Sequence, residues 1–577
     1  MTDRSSDALV AYFSMEIGLD SGMPTYAGGL GVLAGDTIRS AADLQIPMVA
    51  VTLVHRRGYF YQRLDDQGWQ HEEAVAWPIN DFCKPVEQHV TVEIEGRTVH
   101  VGAWQFRVRG ESGQDVPVYL LDTDLPENQP WDRTLTDMLY GGDDHYRLCQ
   151  EVVLGFGGFS LLRTIGYGHI RRFHMNEGHA ALLVLALLEE KLASRAPEEA
   201  VPADLIDAVR EQCVFTTHTP VPAGHDQFPP DLAHRVLGDR RCAWLKACGH
   251  DHSLNMTQLA LRGSRFVNGV AMKHGEVSHS LFPGYPIHSI TNGVHAVNWA
   301  APSFQALYDR HLPDWRHDQL SLRYAISIPE QEIWGAHMLA KRALVDYVNR
   351  EANVGFDRDA LTIGFARRAA AYKRGTLIFH DIERLATITQ RVGPLQIVFG
   401  GKAHPHDQDG KNLIHRLHAL RDALRGKVLV AYLTNYDMML AKILCAGADV
   451  WLNTPLPPME ASGTSGMKAA INGVPSLSIL DGWWIEGHVE DVTGWSIGDR
   501  IEASRESSEG MDIRDASALY DKLEQKVLPC FYQDRERFTH IMRQAIALNG
   551  GFFNTQRMMA QYLHKAYRLV GEYVRGG

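Results

Sequence analysis

Short apolar runs alternate with helical patterns through most of this chain. That alternation is what most constrains the fold, because it predicts parallel sheets flanked by helices. Residues 8–13 read as a strand. Gly28, Gly29, Leu30 and Gly31 read as a loop, 32–44 as a helix and 47–54 as a second strand. Residues 69–108 alternate β-branched and aromatic side chains, which predicts an antiparallel insertion, and 151–162 and 180–192 read as helices. In the second half, 361–365, 395–401, 427–433, 449–452 and 476–480 read as strands. Helices are expected over most of 372–392, over 438–445 and from 462 to 472. Pro302, Pro313 and Pro329 interrupt the pattern. Two α/β units are therefore expected: 1–298, carrying the β insertion, and 299–577, whose last helix is expected to pack back on the first unit. Ligands of open α/β sheets bind beyond the carboxyl ends of the strands, so a cleft between the units is the expected active site.

Size and charge narrow the classes. A chain of 577 residues accommodates two large domains. Its formal net charge of -12 disfavours a nucleic-acid partner, which requires a field of Lys and Arg, but leaves room for a small basic pocket. Neither a signal peptide nor a membrane span is expected, since the apolar stretch at 8–13 is short and no apolar run approaches ~20 residues. The seven cysteines are scattered and odd in number, which points to a reducing cytoplasm rather than a disulfide framework. Cys242, Cys248, His250 and His252 lie close in sequence, but their spacing matches no common zinc pattern, and no metal is expected.

Three groups at strand ends carry the chemistry. Arg367, Arg368, Lys373 and Arg374 follow the strand at 361–365. They read either as a solvated helix start or as a pocket for one or two phosphates, with Ala369, Ala370 and Ala371 leaving room beside them. Gly463, Thr464, Ser465 and Gly466 combine small side chains and hydroxyl donors at an expected helix start, a natural anion site. Lys468 follows on that helix. A lysine there is usually solvated, but one held in a dry pocket has a lowered pKa and can form a Schiff base. The third group is histidines beside turns: His179 after Asn176, Glu177 and Gly178; His218 between Thr217 and Thr219; and His295 after Asn292, Gly293 and Val294. Each alone is a common structural hydrogen-bonder. Together they predict a surface for a hydroxyl-rich ligand, with Trp299, Trp483 and Trp484 either as sugar platforms or as core.

With these stretches in this order, the chain resembles the glycogen, starch and maltodextrin phosphorylases over most of its length. The segment from Glu460 to Lys468 is the most specific match. The resemblance implies two Rossmann-like domains facing across a cleft, the GT-B glycosyltransferase type, and a pyridoxal 5'-phosphate cofactor on Lys468. It implies that Thr464, Ser465, Lys373 and Arg367 lie near the cofactor phosphate, that Tyr436 and Trp299 pack around the cofactor, and that Gly29 and Leu30 border both sites. Arg368 matches a residue that binds the substrate phosphate. Glu460, Ser462, Gly463, Asn292, Glu177, His179 and His218 match positions around the reacting glucose. The implied reaction is reversible phosphorolysis of a terminal α-1,4-linked glucose by inorganic phosphate, giving α-glucose 1-phosphate with retention. The implied assembly is a homodimer, and no allosteric control is expected. Arg367 stands where many members have lysine, and Glu177 where they have aspartate. Two other readings share the scaffold, a nucleotide-sugar-dependent glucan synthase and an inactive glucan-binding protein. The first is disfavoured by Lys468, since a lysine cannot accept a hydrogen bond from a ribose. The second is disfavoured by the full set of site residues.

Overall fold

The structure, a computed structural model, describes residues 9–193, 201–221, 224–249, 253–424, 426–499 and 507–569. Most of its strands join two sheets. The first runs Ile287–Ser289, Phe266–Gly269, Cys213–Thr216, Arg172–Asn176, Val10–Ser14, Met48–Leu53, Asp115–Asp122, Arg97–Arg109 and Lys84–Pro85, with Val90–Ile94 also paired to Arg97–Arg109. Neighbours are parallel as far as Asp115–Asp122 and antiparallel beyond it. The expected β insertion therefore extends one edge of a parallel sheet. The second sheet runs Leu429–Leu433, Leu395–Gly400, Leu361–Ala366, Val450–Asn453, Ser476–Ile479 and Gly494–Ile497, all parallel.

The central strands Val10–Ser14, Met48–Leu53, Leu361–Ala366 and Leu395–Gly400 are buried at every residue, which is why they read as unbroken apolar runs. In each sheet the chain moves outward from one strand and later returns to its other side. The reversals lie between Val10–Ser14 and Arg172–Asn176, and between Leu361–Ala366 and Val450–Asn453. A crevice opens beyond the carboxyl ends at such reversals.

Many contacts tie the halves together, among them three groups. The antiparallel hairpin of Tyr61–Leu64 and Gln70–Glu73 reaches the loops of the second sheet. There the Gln62 amide donates to Gly401 O at 3.0 Å, and Gln70 exchanges 2.9 Å bonds with the Ala403 backbone. The Tyr26 hydroxyl accepts from the Met438 amide at 2.9 Å. The C-terminal stretch from Thr555 to Leu569 lies on the first sheet. Tyr567 meets His174 at 2.7 Å, Tyr562 meets Thr216 and Asn268 at 3.0 Å, and Met558 and Met559 join the core of Val10 and Tyr12.

Two local expectations need correction, and a third holds with breaks. The stretch 372–392, expected to be mostly helix, is helical with breaks: short 3-10 helices Ala371–Lys373 and Leu377–Phe379 precede the α-helix Ile382–Val392, capped by Asp381. Before it, Arg374 takes a left-handed φ of 47°, and its guanidinium is drawn into bonds with Thr454 O, Pro455 O, Asp512 and Asp515. The helix expected from 32 begins at Gly29. The helix expected from 462 begins at Ser465, because Gly463 has a φ of 82° and cannot continue it. No helix among the described residues is long and apolar enough to cross a membrane.

Candidate functional site

Beyond the reversal in the first sheet lie Glu16, Asn176 and Glu177. The buried Glu16 carboxylate accepts the Ala27 and Gly28 amides at 2.6 and 3.2 Å and the Tyr140 hydroxyl at 2.9 Å. It thereby fixes the entry to the helix Gly29–Asp43, whose first amides, at Gly29 and Leu30, are free of intrahelical partners. Gly31 must lack a side chain here, since a Cβ would stand 2.6 Å from Glu16 Oε2. Glu177 holds a φ of 74°, a conformation costly for a non-glycine residue and characteristic of functional sites. Its carboxylate accepts the Gly178 and His218 amides at 3.0 and 2.8 Å and the Thr219 hydroxyl at 3.0 Å. Against the upward push of burial, the neighbouring His218, His225 and His179 hold it below the usual carboxylate range.

The Asn176 amide donates to Ser14 Oγ at 3.1 Å, so its oxygen accepts from His218 Nε2 at 2.7 Å. Burial pushes the His218 imidazole down to about 4, so it is neutral at pH 7. His179 turns to Asp226 at 3.2 Å, where Arg147 also binds. A cavity of about 620 Å³ opens beside them, lined by Tyr140, His145 and Arg147 and, from the second half, His404 and His406.

At the second reversal the four expected cations separate. Arg367 and Lys373 both donate to Glu460 Oε2, the latter at 2.6 Å. All three are largely buried, and against the upward push of burial the two cations hold Glu460 at about 2. Arg367 Nε and Nη1 are buried without a hydrogen-bond partner among the described residues. Arg368 stays exposed, beside Tyr372 and Tyr59. Arg374 faces away, in the network already described, so it does not belong to the pocket.

Lys468 follows on the helix Ser465–Ile471 and is 6% exposed. Its Nζ sits 4.0 Å from the centre of the Trp299 ring and forms no hydrogen bond or ion pair among the described residues. Burial lowers its pKa, with Cys445 and Asp36 opposing. Trp299 is fixed by Asp36, which accepts its indole N–H at 2.6 Å and the His295 amide at 3.2 Å. The helix Gly29–Asp43 is thereby linked through Asp36 and Trp299 to Lys468. Ser465 Oγ accepts the Trp451 indole at 3.1 Å, Thr464 makes no side-chain cap, and Tyr436 packs on Gly400. Ser462 Oγ and Asn292 Oδ1 are buried without partners among the described residues.

The structure thus gathers Arg367, Lys373 and Glu460 in one group, Lys468 and Trp299 in a second, and Asn176, Glu177 and His218 in a third. Trp483 and Trp484, at 2% and 1% exposure, are core and offer no sugar platform. His250 and His252 lie outside the described residues, and no group of three metal-binding side chains gathers among the described ones. Sequence reasoning missed Glu16, Asp36 and also Asp481, whose Oδ2 accepts the Glu460 amide at 2.9 Å. The strand-end rule that located Asn176 could have located Glu16, which lies two residues beyond Val10–Ser14.

Residues 225–566 match the family model for carbohydrate phosphorylases. Maltodextrin phosphorylase of Thermococcus litoralis is 39% identical, over 97% of this chain and 70% of that protein. Glycogen phosphorylase of Mycobacterium tuberculosis is 36% identical, over 97% of this chain and 70% of its own length. Glycogen phosphorylase of Aquifex aeolicus is 34% identical, over 97% of this chain and 86% of its own. The chain belongs to the carbohydrate phosphorylase family of glycosyltransferases.

Proposed function

We propose that this chain is an α-1,4-glucan phosphorylase that holds pyridoxal 5'-phosphate on Lys468. The observation that carries this reading is a buried, unpaired lysine amine against an indole ring, on the same segment as Glu460 and its two cations. The residues fit the cofactor. Lys468, with its lowered pKa, supplies the amine, Trp299 and Tyr436 supply apolar cover, and Thr464, Ser465 and the unsatisfied N–H groups of Arg367 supply donors for a phosphate. When bound, the cofactor supplies a phosphate group that exchanges a proton with the substrate phosphate.

The chain's own residues would do the rest. Arg368, exposed beyond Leu361–Ala366, would bind inorganic phosphate, and Lys373 and Arg367 would offset the repulsion between neighbouring phosphates. The proton that reaches the glycosidic oxygen comes from the bound inorganic phosphate. The bond from C1 to that oxygen breaks, and a bond from C1 to a phosphate oxygen forms on the same face, which gives α-glucose 1-phosphate. Positive charge on the sugar ring would face the main-chain carbonyl near His218, whose neutral imidazole adds no opposing charge. Glu460, Ser462, Gly463, Asn292, Glu177 and His179 would hold the sugar hydroxyls. No pair of catalytic carboxylates is required. In this reading 1–298 and 299–577 act as two Rossmann-like domains of the GT-B type, Gly29 and Leu30 border the cleft, and the glucan enters by the cavity at Tyr140 and His404. A cytoplasmic location accords with seven free cysteines, and a homodimer with the family resemblance.

The test is phosphate-dependent release of α-glucose 1-phosphate from maltodextrin, glycogen or starch, with the anomer read by NMR. Release of free glucose, or no product from any α-glucan, would sink the reading.

A further inference from the structure

We propose that Asp481 is a positioning residue for the sugar site, acting through Glu460. The proposal rests on the reading of Glu460 as a sugar contact. Asp481 lies just beyond the carboxyl end of Ser476–Ile479 and is 3% exposed. Its Oδ2 accepts the Glu460 amide at 2.9 Å, and its Oδ1 accepts the Gly482 amide at 2.9 Å. From the next residue, the Trp483 amide donates to Ser462 O at 2.8 Å. These bonds clamp the turn at 460–462 onto 481–483.

The contact is tight. Gly482 has a φ of 55°, and a Cβ there would stand 2.5 Å from Ser462 O and 3.0 Å from Glu460 Cγ. Gly463, at a φ of 82°, also lies against that side chain, its Cβ position 3.3 Å from Glu460 Cγ. The backbone of Glu460 is thus fixed by Asp481 and two glycines lie against its side chain, while Oε2 takes Arg367 and Lys373.

Asp481 forms no ion pair among the described residues. Burial pushes its carboxyl up to about 7, Glu460 adds to the push, and the two amides and Lys373 oppose it. A buried acid without a counter-charge is a costly way to fill a core. It is accounted for by a task that needs two acceptor oxygens on one short side chain. Asn at 481 would keep one acceptor and turn its NH2 toward the other amide, freeing either Glu460 or Gly482.

The experiment compares wild type, D481N, E460Q and the double variant, reading maltooligosaccharide binding by calorimetry and phosphorolysis kinetics. D481N is expected to weaken maltooligosaccharide binding and to lower kcat/KM for glucan about tenfold, as for loss of a buried hydrogen bond. KM for phosphate should stay within about twofold, because Asp481 holds the backbone of Glu460 while Glu460 Oε2 keeps Arg367 and Lys373. In the E460Q background D481N should add less than about twofold, since residues acting through one another are not additive. G482A, which presses on Ser462 O from the same segment, should reproduce the pattern and carries the test if D481N fails to fold. Losses that multiply in the double variant, an equal change in phosphate KM, or unchanged binding by D481N would overturn the proposal. Coupled binding without turnover would refute the phosphorylase reading and leave Asp481 standing.

Discussion

Glu460→Gln tests whether one carboxylate neutralises two buried cations. The side chains of Arg367 and Lys373 are 8% and 9% exposed, and both donate to a single oxygen of Glu460. Removing one partner of a buried pair costs about 3–5 kcal/mol. Gln keeps a carbonyl acceptor for one of the two cations, so the lower end, about 3 kcal/mol, is expected. Unfolding entropy near 2.1 cal/mol/K per residue gives about 1.2 kcal/mol/K for 577 residues, so the melting temperature should fall by ~2–3 °C. The assay is calorimetric melting in phosphate-free buffer, followed by titration with inorganic phosphate. Phosphate at a hundred times its Kd adds about 2.7 kcal/mol, and it should stabilise the variant more than wild type because it re-pairs the stranded cations. The gap in melting temperature should therefore close as phosphate rises. Equal melting of the two proteins without phosphate, or equal shifts with it, would refute the reasoning.

Burial holds the imidazoles of His55, His174 and His274 down at about 4, 3 and 4, against an ordinary 6.5. Between those values the unfolded chain binds protons that the folded chain does not, so stability should fall as pH drops from 6.5 toward 4, by up to ~3 kcal/mol per histidine. Urea midpoints measured from pH 7 to 4.5 should decline steadily, and a flat profile would contradict this. Tyr562→Phe removes the 3.0 Å bonds to Thr216 and Asn268 and should cost about 1–3 kcal/mol, with faster amide exchange over 555–569. Unchanged exchange there would mean that the hydroxyl does not hold the C-terminal stretch in place. Asp36→Asn sets an amide against the Trp299 indole and should weaken cofactor retention about tenfold during dialysis. Retention equal to wild type would show that Trp299 needs no such anchor.

The fold was legible where side chains repeat a local pattern. Val10–Ser14 and Leu361–Ala366 are buried on both faces, so their apolar runs announced them. The break at 374–376 was not legible, because Arg374 is pulled out of helical geometry by Asp512 and Asp515, far along the chain. The same limit applies at the site. Lys468, Arg367 and Lys373 could be singled out because their chemistry is carried by their own side chains. Glu16, Asp36 and Asp481 could not, because they accept amides and an indole that arrive from other elements. The pairing of Arg367 and Lys373 on Glu460 was equally hidden, since nothing in a local window indicates that these cations meet a carboxylate from a different strand end.

The most direct measurement is borohydride reduction of the purified protein followed by peptide mass spectrometry. A pyridoxyl phosphate adduct is expected on Lys468 and on no other lysine, with the near-ultraviolet absorption of the untreated protein replaced by that of the reduced group. An adduct on Lys373 or elsewhere, or no adduct on a protein that still releases α-glucose 1-phosphate, would contradict it.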